Sequence, residues 1–236
     1  SLLGLEKSLI EVQKLMKKSK EKKVKLFSQK FERAKNHIQL SINRILLLHA
    51  VTGSMPSMFF IYYGDEVGKL NDYSYKKIED ISHDARYLHR GKINWDLVKL
   101  VDDDENSYQS KIFNGIKNMI NARINCPFFT ESEKTVFIKS YSNNEYYELK
   151  GKNEVNKNSK TKIEVDNSIL IFKRIRKDEK FILFVFNFCE YKKEVKINES
   201  DVKGQFVELI TGKIYQQINN FKIDGYGYLW LNPIEY

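Results

Sequence analysis

Two adjacent carboxylates, Asp65 and Glu66, follow directly on the apolar run Met58-Phe59-Phe60-Ile61-Tyr62-Tyr63 and stand between Gly64 and Gly68. A run of that length without alternation predicts a strand covered on both faces, as parallel strands in α/β folds are. Acids placed right after such a strand lie on the rim where α/β barrels assemble active sites from strand-following loops. The two glycines let the backbone turn sharply there. On spacing alone, a surface loop with two solvated acids fits equally well. The segment continues through Leu70-Asn71-Asp72-Tyr73-Ser74-Tyr75 to Asp84-Ala85-Arg86-Tyr87-Leu88-His89-Arg90.

Other chemistries find little footing. His37, His49, His83 and His89 never take a metal-ligand spacing such as H-x-x-x-H, so packing or surface roles are expected of them. Cys126 falls in a Cys-Pro helix stop and Cys189 in an apolar strand, which argues against a disulfide framework or a Cys-based metal site. A reducing, cytoplasmic setting is the simplest one. There is no Gly-rich phosphate loop and no zinc ligand set, so no cofactor is expected.

The formal charge of +9 invites a nucleic-acid or anionic-membrane reading. Its placement argues otherwise. Eight Lys against one Glu fall between Lys14 and Lys30, and more Lys and Asn sit in Lys150 to Lys162, both as solvated insertions. No aromatic residue lies between Lys14 and Val24 to offer a stacking platform. The N-terminus has no basic segment before a long apolar core, and no apolar run approaches membrane length. Neither nucleic acid nor membrane is therefore expected as a partner.

The elements around the acidic pair are legible from periodicity. Leu2, Leu5, Leu9, Val12 and Met16 recur at helical steps, and after a Lys-rich loop Phe27, Phe31, Ala34, Ile38, Ile42 and Ile45 do the same up to the stop at Thr52-Gly53-Ser54-Met55-Pro56. A long polar loop is expected to about Asn106. A helix capped by Ser107 follows, its dipole favoured by Asp102 to Glu105 and its stripe made of Ile112, Ile116, Met119, Ile120 and Ile124. After Pro127 the pattern changes to short β-type runs: Val136–Tyr141, Ile169–Lys173, Phe181–Phe188, Glu194–Ile197, Phe206–Ile210, Phe221–Ile223 and Tyr228–Leu231. These predict an antiparallel sandwich or barrel of about seven strands with Phe181–Phe188 at its centre. Ser142 to Asn167 reads as a long surface loop, in which Tyr146, Tyr147 and Leu149 could add a strand.

The strand ending in Tyr-Tyr-Gly-Asp-Glu resembles the eighth barrel strand of family 13 glycoside hydrolases, the α-amylase superfamily. The continuation Gly64-Asp65-Glu66-Val67-Gly68, then Leu70 to Tyr75 and later Asp84 to Arg90, is similar to the amylosucrase branch of that family. Ser1 to Lys7 and Arg44 to Ala50 are similar to the helices before that strand. Phe184 to Phe188 and Leu209 to Lys213 fit the β-sandwich that closes such enzymes. One departure stands out: amylosucrases usually have Gly-x-Pro entering the strand, and here Phe59 takes the Pro place, with Pro56 upstream. The implied fold class is α/β plus all-β: residues 1–127 as the C-terminal segment of a catalytic (β/α)8 barrel, with its last strand and flanking helices, and residues 128–236 as an antiparallel β-sandwich domain.

The resemblance implies a retaining, sucrose-cleaving transglucosidase, without a redox cofactor, that passes a glucosyl unit to an α-glucan or to water. Such chemistry needs two carboxyl groups about 5 Å apart across the scissile bond. In the family these, and a third Asp, follow the fourth, fifth and seventh strands, positions that fall upstream of Ser1. Asp65 and Glu66 cannot replace them, because adjacent residues after one strand cannot flank both faces of a sugar ring. The expectation is therefore an incomplete product that carries no catalytic residue and is inactive alone, whose partners are a carbohydrate substrate (sucrose or α-glucan) and the N-terminal part of the barrel. Arg86 matches the family arginine that ion-pairs with an upstream Asp to close the glucose pocket, a role that suits the planar guanidinium fork. Asp65 and Glu66 match the family pair at the pocket rim, and Asn71 and Asp72 lie in the loop after it. All four are expected to order the loop more than to touch sugar. The alternative is a non-catalytic carbohydrate-binding or scaffolding protein whose β domain does the work.

Overall fold

The computed structural model describes residues 4–18, 24–132, 134–140, 166–198 and 202–234. Residues 142–165 of the surface loop expected over Ser142 to Asn167, the strand weighed at Tyr146 to Leu149, and Ser1 to Leu3 lie outside the described residues. The chain divides into two units, one of Ser1–Gly53 with Ser57–Ile120, the other of Ser54–Pro56 with Asn121–Tyr236.

The first unit is helical. α1 (Leu5–Lys18) and α2 (Val24–Ser54) absorb most of the basic run expected as a loop, since helices reach Lys18 and resume at Val24. Lysine is a good helix former and suits the C-terminal turn of α1, so its abundance does not break the helices. The apolar stripes meet in part: Leu5, Ile42, Ile45, Ile112 and Ile116 form one core, with Leu9, Ile38, Leu46, Ile61, Leu70, Tyr108 and Ile120 packed on it, while Met16, expected in the first stripe, is exposed. α3 (Trp95–Asp103) corrects the expected long loop. Asn94 caps it by accepting from the Asp96 N–H at 3.0 Å, and Asp102 and Asp103 end this helix instead of heading the next. α4 (Tyr108–Ile124) starts where expected, with the Ser107 hydroxyl accepting from the Ser110 N–H at 3.0 Å. Ile124, at its last position, is exposed and takes no part in the stripe.

The segment Met58–Tyr63 corrects the expected buried barrel strand. It is extended but pairs with no strand, and Met58, Phe60, Tyr62 and Tyr63 are exposed, Phe60 at 78%. Only the alternate face is covered: Ile61 packs on the helical core and Phe59 meets the His49 ring edge-on, centroids 6.4 Å apart. A parallel strand is buried by neighbours on both edges and helices on both faces. Among the described residues of this unit there is no other strand to supply them.

The second unit is an antiparallel β structure. β1 (Lys134–Ile138), β2 (Ile169–Ile175), β3 (Phe181–Asn187), β5 (Phe206–Glu208), β6 (Ile214–Tyr215) and β8 (Tyr228–Pro233) form one sheet in the order β1-β2-β3-β8-β5-β6. β4 (Lys193–Lys196) and β7 (Asn220–Ile223) form a second. The two-residue β6 was not foreseen. β3 lies inside the large sheet, in register with Leu170↔Phe186 on one side and Phe184↔Trp230 on the other. Its alternating side chains serve two cores. Leu183 and Val185 join Ile171, Leu231, Val195, Ile197 and Ile223, linking both sheets. Phe184 and Phe186 join Phe172, Trp230 and Phe129 of the short α5 (Phe128–Glu131), with ring centroids 5.1 to 5.9 Å apart. Cys189 lies beyond β3 in a turn, where its N–H donates to the Asn187 side-chain oxygen, and both cysteines are free.

Polar groups inside this unit are held by named partners. Glu208, 2% exposed, accepts from the Thr211 N–H and hydroxyl and from the Trp230 N–H, which fixes the Thr211-Gly212-Lys213 turn. Arg174 on β2 is 1% exposed and donates to the carbonyls of Ser54 (2.9 Å), Phe128 (3.2 Å) and Phe129 (3.1 Å) and to the Ser132 hydroxyl. Burial, with repulsion from Arg123 next, pulls its guanidinium down to about 10.

Candidate functional site

The Asp65–Glu66 turn is built by its two glycines. Gly64 (φ 88°) and Gly68 (φ 62°) bracket a single 3-10 turn, Asp65–Val67, closed by Val67 N–H to Gly64 O and Gly68 N–H to Asp65 O. A Cβ at Gly68 would stand 2.7 Å from Ile112 Cδ1, and one at Gly64 2.7 Å from Lys69 Cδ. Positive φ and these close approaches leave glycine as the fitting residue at both ends.

The loop beyond is tied back to itself. Asp72 N–H donates to Leu88 O at 2.8 Å, which brings the Asn71–Asp72 and Asp84–Arg90 stretches together. The Asp72 carboxylate accepts from the Ser74 N–H, and Asn71 donates to the Tyr73 hydroxyl, which in turn donates to Glu6 on α1 at 3.3 Å. Lys69 Nζ donates to His89 O at 2.9 Å and sits 4.7 Å over the Tyr63 ring.

The five candidate residues do not converge on one hollow. Asp65 borders a hollow of about 510 Å³ with Ile45, Leu48, His49, Thr52, Phe60, Ile61 and Tyr62. Asn71 and Asp72 border another of about 240 Å³, between the loop, α3 and the start of α4. Glu66 and Arg86 line neither. Arg86 lies in a short 3-10 segment, Ala85–His89, capped by Asp84, with its side chain 73% exposed. Its Nε and Nη2 donate to the Asp84 carboxylate at 2.9 and 2.7 Å, and Asp84 also accepts the Arg86 N–H. The fork is thus aimed by its own neighbour, and Nη1 makes no hydrogen bond among the described residues.

The electrostatics differ between the carboxylates. The Arg86 side chain, then its N–H, holds Asp84 at about 2, so the contact persists at neutral pH and is lost only as pH falls towards that value. Asp65 is raised, chiefly by burial, with Glu66 adding and His49 and His89 opposing. A raised carboxyl contributes stability that is present below its unfolded value and lost as pH rises through the folded one. Asp65→Asn, which mimics the protonated form, is therefore expected to gain stability relative to the wild type between about pH 4 and pH 7. Urea midpoints measured across that range check this, and a difference that stays constant with pH would contradict it.

Sequence reasoning missed several residues of the 240 Å³ hollow: Lys69, Lys92, Asn94, Tyr108 and Gln109. Gln109, in the first turn of a helix, carries no local sign that it is buried. The Asp84–Arg86 fork could have been found, because an Asp two residues before an Arg bonds its backbone readily. Among the described residues no group of three His, Cys, Asp or Glu could hold a metal ion, and no helix is long and apolar enough to cross a membrane.

No family model matches the chain. The structure is similar to the crystal structure of a variant of AmyP in complex with maltotriose, with a TM-score of 0.53 at 16% identity over 85% of this chain and 38% of AmyP. The two share a fold. Eubacterium rectale Amy13B aligns over 83% of the chain and 35% of its own length at 17% identity, with a TM-score of 0.48. Both are α-amylase-type enzymes of glycoside hydrolase family 13. The chain spans a little over a third of the length of each.

Proposed function

We propose that this chain is the C-terminal part of a retaining glucosidase or transglucosidase of the α-amylase superfamily, amylosucrase-like, acting on sucrose or an α-glucan in the cytoplasm. The carrying observation is the stretch Gly64–Arg90: a carboxylate turn set by two left-handed glycines, tied through Asp72 to Leu88 and ending in an arginine aimed by Asp84. The shared fold with AmyP supports the reading, as do the quoted motifs.

In this reading Met58–Tyr63 becomes the last strand of a (β/α)8 barrel once neighbouring strands cover its edges, and residues 128–236 are the closing β-sandwich. Arg86 presents its Nη1 edge to an upstream carboxylate or to glucosyl hydroxyls, while Asp84 fixes its direction. The planar fork suits that role, because one edge can be spent on orientation and the other on the partner. Asp65 and Glu66 shape the rim, and Asn71 and Asp72 order the loop behind it.

The bond-breaking step needs a nucleophile and an acid on opposite sides of the glycosidic bond, and no segment of this chain matches the family positions that supply them. The purified chain is therefore expected to release no fructose from sucrose. Fructose appearing above the buffer control, and disappearing with Asp65→Asn or Glu66→Gln, would overturn the reading.

A further inference from the structure

Helix α1 carries charge that the barrel-rim reading does not use. Lys14 to Lys35 holds ten Lys or Arg against Glu21 and Glu32, which accounts for eight of the nine net positive charges of the chain. A solvated loop would offer no ordered surface, yet α1 extends to Lys18 and α2 begins at Val24, so both flanks of the run are helical. Helical steps set Lys7, Ile10, Lys14 and Lys17 on one line about 15 Å long, opposite Leu5 and Leu9 of the helical core. Glu6 and Glu11 lie on either side of that line. Lys7, Lys14 and Lys17 are exposed and make no ion pair among the described residues, whereas Lys35 of α2 is held by Glu32 at 3.5 Å and by the Phe31 ring. Ile10 stands among the cations 44% exposed, and Met16 is 55% exposed. α2 adds the exposed Lys30 and Arg33.

We propose that the outer face of α1 docks peripherally on an anionic phospholipid surface, with Ile10 entering the headgroup layer between the lysines. Lysines fixed on one helix face reach the same plane, so their attractions to acidic headgroups add. Ile10 decides between polyanions. An apolar side chain within a basic face gains by leaving water at the boundary of headgroups and acyl chains, as in interfacial helices, and gains nothing on a phosphodiester backbone. The first aromatic residue of the chain is Phe27, so α1 has no ring to stack on bases. Leu5 and Leu9 stay in the core, which keeps the contact shallow and sensitive to salt. None of these residues belongs to the stretch Gly64–Arg90, so the docking stands or falls apart from the function proposed above.

The test is sedimentation of the full chain with vesicles of phosphatidylcholine and phosphatidylserine at about two to one, and with vesicles of phosphatidylcholine alone. The chain should follow only the anionic vesicles, and should be released as KCl shortens the screening length. Lys7→Gln, Lys14→Gln and Lys17→Gln together should weaken binding about 100-fold at an unchanged unfolding midpoint, since Gln is a comparable helix former. Lys134→Gln, Lys177→Gln and Lys213→Gln together, exposed in the β unit and equal in net charge, should leave binding at the wild-type level. Ile10→Ser should weaken it about fivefold and keep the salt dependence. The proposal is overturned if anionic vesicles bind no better than neutral ones, if the two triple variants behave alike, if Ile10→Ser binds as the wild type does, or if duplex DNA binds the chain more tightly than the vesicles, phosphate for phosphate.

Discussion

Arg174→Met is expected to lower the stability of the β unit by about 3 kcal/mol, the largest loss expected of a single side chain here. The reason is positional. The guanidinium is buried on the face of β2 that carries Phe172, 5.4 Å from the Phe129 ring centroid, and no carboxylate pairs with it among the described residues. Its donors instead serve the carbonyls of Ser54 at the end of α2 and of Phe128 and Phe129 in α5, near helix ends where carbonyls lack a full set of intrahelical partners. Met fills much of the volume but removes the donors that serve these carbonyls, while Phe128 O keeps the Ser132 N–H at 3.2 Å. Arg174→Lys keeps the charge yet loses the planar fork, so it should recover less than half of the loss. Urea unfolding followed by the fluorescence of Trp230, fully buried in this unit, reads the effect, because Trp95 is 70% exposed. Wild-type stability in Arg174→Met would contradict the assignment.

That arginine also marks the limit of what could be read from residues alone. Helical periodicity located α1, α2 and α4, with Ser107 as a true cap, and the β-type runs located β3 at the centre of its sheet. What escaped depends on partners distant in sequence. Lys173-Arg174 resembles the solvated end of a strand, and only the approach of Ser54 and Phe128–Phe129 makes Arg174 a buried hub. Met58–Tyr63 has the composition of a covered strand, but burial is conferred by neighbouring strands, and among the described residues of the unit none pairs with the segment to cover Phe60 and Tyr62. α3 was masked because Asp102 to Glu105 suggested the start of the next helix, although Leu97, Val98, Leu100 and Val101 after a capping Asn94 form a short stripe. At the candidate site the Gly64 and Gly68 turn was legible, since positive φ has few other residues to choose. The separation of Asp65 from Asn71 and Asp72 into two hollows was not, because it follows from where α2, α3 and α4 pass.

Arg86 carries the second large effect. Asp84 holds two of its nitrogens, which fixes the plane of the guanidinium and spends little of its binding capacity, since Nη1 makes no hydrogen bond among the described residues. An exposed ion pair of this kind adds little to stability, so Arg86→Ala should leave the unfolding midpoint nearly unchanged. Loss of a positioning contact at a reacting sugar, by contrast, costs about 100-fold in rate. The decisive measurement grafts residues 1–236 in place of the corresponding part of a sucrose-using family 13 enzyme and follows fructose release. The graft should turn over sucrose and lose about 100-fold in kcat/KM with Arg86→Ala. A folded graft that releases no fructose, or one indifferent to Arg86→Ala, would contradict the account.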